Sequence, residues 1–141
     1  MLARKGLPVA VVMVDIDHFK PVNDTYGHPF GDAVIQRVAE VLSSMYRDSD
    51  VVCRYGGEEF AVILRDTPSA GALTVAECMR EAVETLEQTY GKTPVPMTVS
   101  IGVTDSDRIE ESTTVSGEGL LEAPDRDLYR AKEAGCNRVE G

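Results

Sequence analysis

Asp15 follows the apolar run Pro8-Val-Ala-Val-Val-Met-Val14, and Glu58 and Glu59 follow Gly56 and Gly57 between two further apolar runs. If those runs are neighbouring strands, the three carboxylates converge at one sheet edge. Hard oxygen donors there suit Mg²⁺, which takes few carboxylates and completes its shell with phosphate oxygens and water. Two such ions can activate an attacking hydroxyl and steady a leaving group. Gly56 and Gly57 carry no side chain, so a ribose or phosphate can come close to their backbone. Lys20, soon after Asp15, and Lys132, near the end of the chain, are cations able to face a triphosphate.

Each residue also has an ordinary reading. A Gly-Gly pair between two apolar strands is commonly just a turn. Asp15 at a strand end is commonly a solvated carboxylate, and Asp32 before an apolar helical pattern is by default an N-cap. Asn23-Asp24 is ordinary turn chemistry, and Lys132 is an ordinary helix lysine.

The elements that would hold these residues follow from hydrophobic spacing. Pro8 to Val14 reads as a strand buried on both faces. The stretch from Ile16 to Asp32, with two prolines and two glycines, reads as a loop. Val34, Ile35, Val38, Val41, Leu42 and Met45 mark one face of a helix over Ala33–Tyr46. Val51–Tyr55 and Phe60–Leu64 read as a hairpin with Gly56 to Glu59 as its turn. Thr67 as cap and Pro68 at the first position open a second helix, with Leu73, Ala76, Met79, Val83 and Leu86 on its buried face. Val95–Val103 reads as a strand, Asp105–Gly119 as a polar loop, and Leu120–Ala134 as a helix containing Pro124 and stopped by Gly135. Asn137–Glu140 reads as a terminal strand. The order β-α-β-β-α-β-α-β, with a hairpin between βα units, predicts an α/β (α+β) fold: a ferredoxin-like mixed sheet with helices packed against it.

Bulk properties agree with one domain. The chain has 141 residues, is 43% hydrophobic and carries a formal net charge of −10. That charge repels a phosphate backbone and argues against wrapping a nucleic acid polymer, although divalent cations allow a nucleotide to bind. The longest apolar run is far short of the ~20 residues of a membrane helix, and the start of the chain has no signal-peptide pattern. Cys53, Cys78 and Cys136, an odd number with no C-x-x-C pair, point to a reduced compartment; a cytoplasmic domain without direct membrane contact is expected, and a longer parent protein could itself be membrane-anchored.

Taken together the motifs resemble the GGDEF family of diguanylate cyclase domains. The matching blocks are Asp15-Ile-Asp-His-Phe-Lys20, Asn23-Asp24-Thr-Tyr-Gly-His28, Gly31-Asp32, Arg54-Tyr-Gly-Gly-Glu-Glu-Phe60, Thr98-Val-Ser-Ile-Gly102, Leu128-Tyr129, Ala131-Lys132 and Gly135-x-Asn137, in the family's order. The resemblance implies a nucleotidyl-cyclase-like sheet and the condensation of two GTP into cyclic di-GMP, within a homodimer. Asp15 and Glu58 would hold metal by side chain and Ile16 by its carbonyl, as Mg²⁺ or Mn²⁺, two per GTP half-site. Glu58 would also help remove the ribose 3′-hydroxyl proton, with Glu59 in support. Asn23 and Asp32 would read guanine, Gly56 and Gly57 would line the nucleotide floor, and Lys20 and Lys132 would neutralise phosphate. Arg47-Asp-Ser-Asp50, separated from Gly56 by five residues, resembles the family's R-x-x-D site for inhibitory cyclic di-GMP; on its letters alone it is a local Arg–Asp pair.

The sequence departs from that pattern in places. A single GGDEF domain over 1–141, lacking the usual opening helix, is expected. Cys136 stands where the family usually has Arg, with Arg138 nearby. Pro124 and Asp127 replace small alanines, and Thr74 and Cys78 occupy a region where some members add an arginine to the inhibitory site. These departures favour low activity for the fragment alone. They also keep two alternatives open: a domain that binds cyclic di-GMP without making it, and another two-metal nucleotidyl transferase.

Overall fold

The computed structural model describes residues 8–45, 47, 50–54, 56–105 and 128–141. Its elements run β1 (Val9–Ile16), α1 (Phe19–Tyr26), α2 (His28–Ser43), β2 (Val51–Arg54), β3 (Glu59–Arg65), α3 (Ser69–Glu84), β4 (Thr89–Tyr90), β5 (Thr93–Pro94), β6 (Val99–Asp105), a helical segment over 128–133, and β7 (Val139–Glu140). The main sheet has the order β2-β3-β1-β6-β7. β1 lies antiparallel between β3 and β6, and β7 joins β6 in parallel. This is the ferredoxin-like α+β arrangement the element order predicts.

The continuous apolar run of β1 is explained by cover on both faces. Ala10, Val12, Val14 and Ile16 enter the core shared with α2 and α3. Met13 points the other way and packs with Ala61 and with Leu128 of the 128–133 segment. Side chains alternate across a strand, so a strand covered on both sides has no polar position to spare.

The stretch expected as a loop is mostly helical. Pro21 falls in the first turn of α1 and Pro29 at the start of α2. The missing N–H of a proline costs nothing there, so the prolines mark helix starts rather than breaks. Gly27, at φ 93°, turns the chain between the two helices. Asp32 therefore lies inside α2 and is not its N-cap; Gly27 holds that position.

Other expectations shift similarly. Glu59 belongs to β3, opposite Asp15, rather than to the turn. Thr67 does not cap α3: Pro68 takes the N-cap, and the Thr67 hydroxyl donates to the Arg65 carbonyl at 2.9 Å. The buried face of α3 is Ala72, Ala76, Met79 and Val83. Leu73 is 36% exposed, because it stands one residue round from that stripe, and Leu86 lies past the helix end. The ladder of β6 starts at Val99 rather than Val95, since Pro96 cannot donate to it. The β4–β5 hairpin around Gly91 was not foreseen; Tyr90 packs on Tyr26 and Phe30 with ring centroids 5.0 and 5.4 Å away. Asp105, expected to open a loop, instead ends β6; the rest of that loop, and the expected helix from Leu120 through Pro124 to Asp127, lie outside the described residues.

Candidate active site

Hydrogen bonding ties the Gly56–Glu58 turn to the end of β1. Ile16 donates its N–H to the Glu58 carbonyl at 3.2 Å, and Asp15 pairs with Glu59 across the β1–β3 ladder. Arg54 staples the turn from behind, donating to the Gly57 carbonyl from Nε at 3.0 Å and from Nη2 at 2.7 Å. The three carboxylates thus share one sheet edge. Neither Gly56 nor Gly57 has a left-handed φ. Among the described residues a Cβ on Gly57 would meet nothing within 4 Å, and one on Gly56 only Glu59 Oε1 at 4.0 Å. Among the described residues nothing calls for glycine here, and the bare backbone of the turn is open to close approach of a ligand.

Asp15 is the unsatisfied member of the group. Its side chain is 15% exposed, and the buried Oδ1 has no hydrogen-bond partner among the described residues. Oδ2 lies 3.5 Å from Lys132 Nζ. Burial pushes Asp15 up to about 6; Lys132 opposes that, and repulsion from Glu58 and Glu59 adds to it. An orphaned, partly desolvated oxygen beside two further carboxylates is a site that a cation would relieve. Among the described residues no three His, Cys, Asp or Glu side chains form a ready-made cage.

Asp17, two residues on, is the opposite. It accepts hydrogen bonds from Ser100 Oγ at 2.6 Å, Thr98 Oγ1 at 2.6 Å, Lys132 Nζ at 2.7 Å and the Asn137 N–H at 2.9 Å. Burial alone would raise its pKa, but the bonds from Lys132, Ser100 and Thr98 outweigh that and hold it below the usual carboxylate range. Lys132, half-buried, is in turn held charged against burial by Asp17 and Asp15.

On the helical side, Asn23 of α1 faces α2. A Cβ on Gly31 would run into Asn23 Oδ1 and would lie 3.1 Å from its Cγ, so glycine lets the two helices close on that amide. Asn23 Nδ2 and His28 Nδ1 are 2.8 Å apart. Asp32 is exposed on α2 and lines an open cleft of about 550 Å³ with Gln36, Cys53, Arg54 and Phe60. Lys20 is 85% exposed and pairs with Asp24 at 3.3 Å, a surface contact worth little.

Arg47 and Asp50 form a separate bracket. Asp50 is buried and accepts from Arg47 N at 2.9 Å, Nε at 3.2 Å and Nη2 at 3.0 Å, and from Arg65 N at 3.2 Å. Arg47 Nη2 also donates to the Arg65 carbonyl at 2.7 Å and to Thr67 Oγ1 at 2.8 Å. Burial works to raise Asp50, but these bonds hold it below the ordinary range.

The family model for the diguanylate cyclase GGDEF domain matches residues 1–138. The chain belongs to the GGDEF family. It is similar to diguanylate cyclase A of Treponema denticola, with 41% identity over 136 residues, covering 96% of this chain and 36% of that protein. It is also similar to the response regulator PleD of Caulobacter vibrioides, with 44% identity over 143 residues, covering 96% of this chain and 30% of that protein. The chain therefore spans about a third of the length of these curated relatives. Among solved structures, the GGDEF domain of DgcB from Caulobacter crescentus, in complex with c-di-GMP, superposes with a TM-score of 0.85 at 34% identity, covering 97% of this chain and 79% of that one. The active GGEEF domain of a diguanylate cyclase from Vibrio cholerae gives 0.81 at 28%, covering 97% and 84%.

In this GGDEF domain, Asp15, Ile16, Glu58, Glu59, Gly56, Gly57 and Lys132 meet at the sheet edge, while Asn23 and Asp32 stand on the α1–α2 pair. Lys20 faces solvent, and Arg47 and Asp50 lie together at the other end of β2. Asp17 was not singled out as a site residue. The signal for it was the two-residue spacing from Asp15, which puts both side chains on one side of the extended chain.

Proposed function

We propose that this GGDEF domain is a diguanylate cyclase, condensing two GTP into cyclic di-GMP with release of two pyrophosphates. The orphaned Asp15 oxygen beside the Gly56–Glu59 turn carries this reading. Asp15, Glu58 and the Ile16 carbonyl would hold Mg²⁺ or Mn²⁺, two per GTP half-site. Bound there, the ions would acidify the 3′-hydroxyl and stabilise charge on the phosphates.

The chain's own residues supply the rest. Glu58 takes the 3′-hydroxyl proton, and Glu59 supports it. The freed 3′-oxygen forms a bond to the α-phosphorus of the other GTP as the bond to pyrophosphate breaks. Gly56 and Gly57 form the nucleotide floor. Lys132 and Lys20 balance phosphate charge, Lys20 by leaving Asp24. Asp32, at the mouth of its cleft, accepts from the guanine N1–H and amino group, donors that adenine lacks on that edge, and Asn23 adds a second contact. Each protomer brings one GTP, so a homodimer completes the site. Cyclic di-GMP returns to Arg47 and Asp50, where the 57% exposed guanidinium is already held in place for a guanine or phosphate. Among the described residues no helix is long and apolar enough to cross a membrane, and we place the domain in the cytoplasm, where GTP is supplied.

The preformed Arg47–Asp50 bracket also favours a second reading, a receptor for cyclic di-GMP. One experiment separates the two: nucleotide-free wild type and Glu58→Ala are incubated with GTP and Mg²⁺ or Mn²⁺, and products are identified by mass. Cyclic di-GMP from wild type alone supports the cyclase. No product, with cyclic di-GMP bound in an Arg47-dependent way, supports the receptor.

A further inference from the structure

Asp15 and Asp17 stand two residues apart, yet packing has given them different work. Both Asp17 oxygens are doubly engaged, Oδ1 by Ser100 and Lys132 and Oδ2 by Thr98 and Asn137. A carboxylate so occupied has no acceptor site left to enter a metal shell. Its side chain is fully buried, so none of these partners competes with water.

The partners converge from separate parts of the chain. Thr98 and Ser100 come from the start of β6, Lys132 from the 128–133 helical segment, and Asn137 from the turn that follows. That turn is pinned on its far side as well. Asn137, at φ 48°, accepts from Arg80 Nη1 at 3.0 Å and donates to Glu84 Oε2 at 2.8 Å. Asn tolerates the left-handed conformation better than most residues, so the turn can aim its N–H at Asp17. With segment and turn both fixed, Lys132 has one ammonium position that satisfies Asp17, and it lies 3.5 Å from Asp15. An ammonium has three donors, and the bond to Asp17 uses one.

We propose that Asp17 is a positioning residue of the active site, holding the Lys132 ammonium beside Asp15 so that the cation is in place when a triphosphate arrives. This rests on the cyclase reading. The gain is preorganisation: the lysine is ordered by the fold rather than by the substrate.

The test is a double-mutant cycle of Asp17→Asn, Lys132→Met and the double variant. It is read by initial rates of cyclic di-GMP formation and, without nucleotide, by the ¹⁵N resonance of the Lys132 ammonium. Asp17→Asn should lower kcat/KM about 10- to 100-fold, the range for losing a group that orients an active-site residue. The double variant should be no worse than Lys132→Met. The slowly exchanging ammonium signal should vanish in Asp17→Asn while its urea midpoint shows a folded protein. Losses that multiply, or full activity in Asp17→Asn, would overturn the proposal, because a merely structural Asp17 acts independently of Lys132. If Asp17→Asn does not fold, Thr98→Val keeps the charge and removes one bond; it should give a smaller loss that disappears on the Lys132→Met background, and a loss that persists there overturns the proposal. A wild-type domain that makes no product, yet shows the Asp17-dependent ammonium signal, overturns the cyclase reading alone. A signal unchanged in Asp17→Asn overturns the positioning.

Discussion

Two carboxylates of this domain, Asp15 at the β1 end and Asp50 before β2, each lie beside a basic side chain and are largely buried. Asp50 is saturated: two backbone N–H groups and two guanidinium nitrogens reach it, and it titrates below the usual range. Asp15 keeps an oxygen that no described residue bonds, and burial raises its pKa to about 6. A satisfied buried charge serves the fold, and an unsatisfied one is a cost the fold carries until something binds. The same residue type thus holds a neighbouring guanidinium in place at Asp50 and is itself left open to a ligand at Asp15.

The sharpest way to break this comparison is to neutralise each carboxylate in turn. Asp15→Asn should reduce cyclic di-GMP formation by about 10³-fold, the scale of removing a key charge-stabilising group. It should not lower the urea midpoint of the metal-free protein, because it removes a desolvated charge. A large fall in that midpoint would mean Asp15 is structural after all. Asp50→Ala should do the reverse, lowering the unfolding free energy by about 2 kcal/mol as the part-buried N–H groups of Arg47 and Arg65 lose their acceptor. Urea unfolding reads this directly, and an unchanged midpoint would show the bracket to be idle.

Gly57→Ala sharpens the comparison from the ligand side. The new Cβ has no atom of the described residues within 4 Å, so stability should stay within about 0.5 kcal/mol. The GTP KM should rise about tenfold if a nucleotide lies on that backbone. An unchanged KM would remove the turn from the binding surface.

The smallest effect is in the pH dependence of stability, measured in chelator. Asp50 has a folded pKa below its ordinary 3.8. Its contribution is full above that value and is lost as pH falls through the folded pKa, so Asp50→Asn should flatten the acid limb below about pH 4. Asp15 has the opposite sign, raised from 3.8 to about 6. Its penalty is full above about 6 and is relieved as pH falls from there towards 3.8, so wild type should gain stability in that window and Asp15→Asn should not.

The sequence by itself determined the sheet's central strand, the hairpin that carries Glu58 and the family. An apolar run covered on both faces, a Gly-Gly turn between strands and an ordered set of motifs are all local patterns. Local pattern failed where context changed its meaning: Pro21 and Pro29 begin helices instead of breaking them, and Thr67 braces Arg47 instead of capping α3. Only the tertiary structure decided which partners each acidic residue meets. Asp17's partners lie 81 to 120 residues away in the chain, and Asp15 is set apart by an Oδ1 that none of the described residues bonds. Charge state and orientation depend on burial and on which groups the fold brings within hydrogen-bond distance, and neither is encoded in a residue's neighbours along the chain.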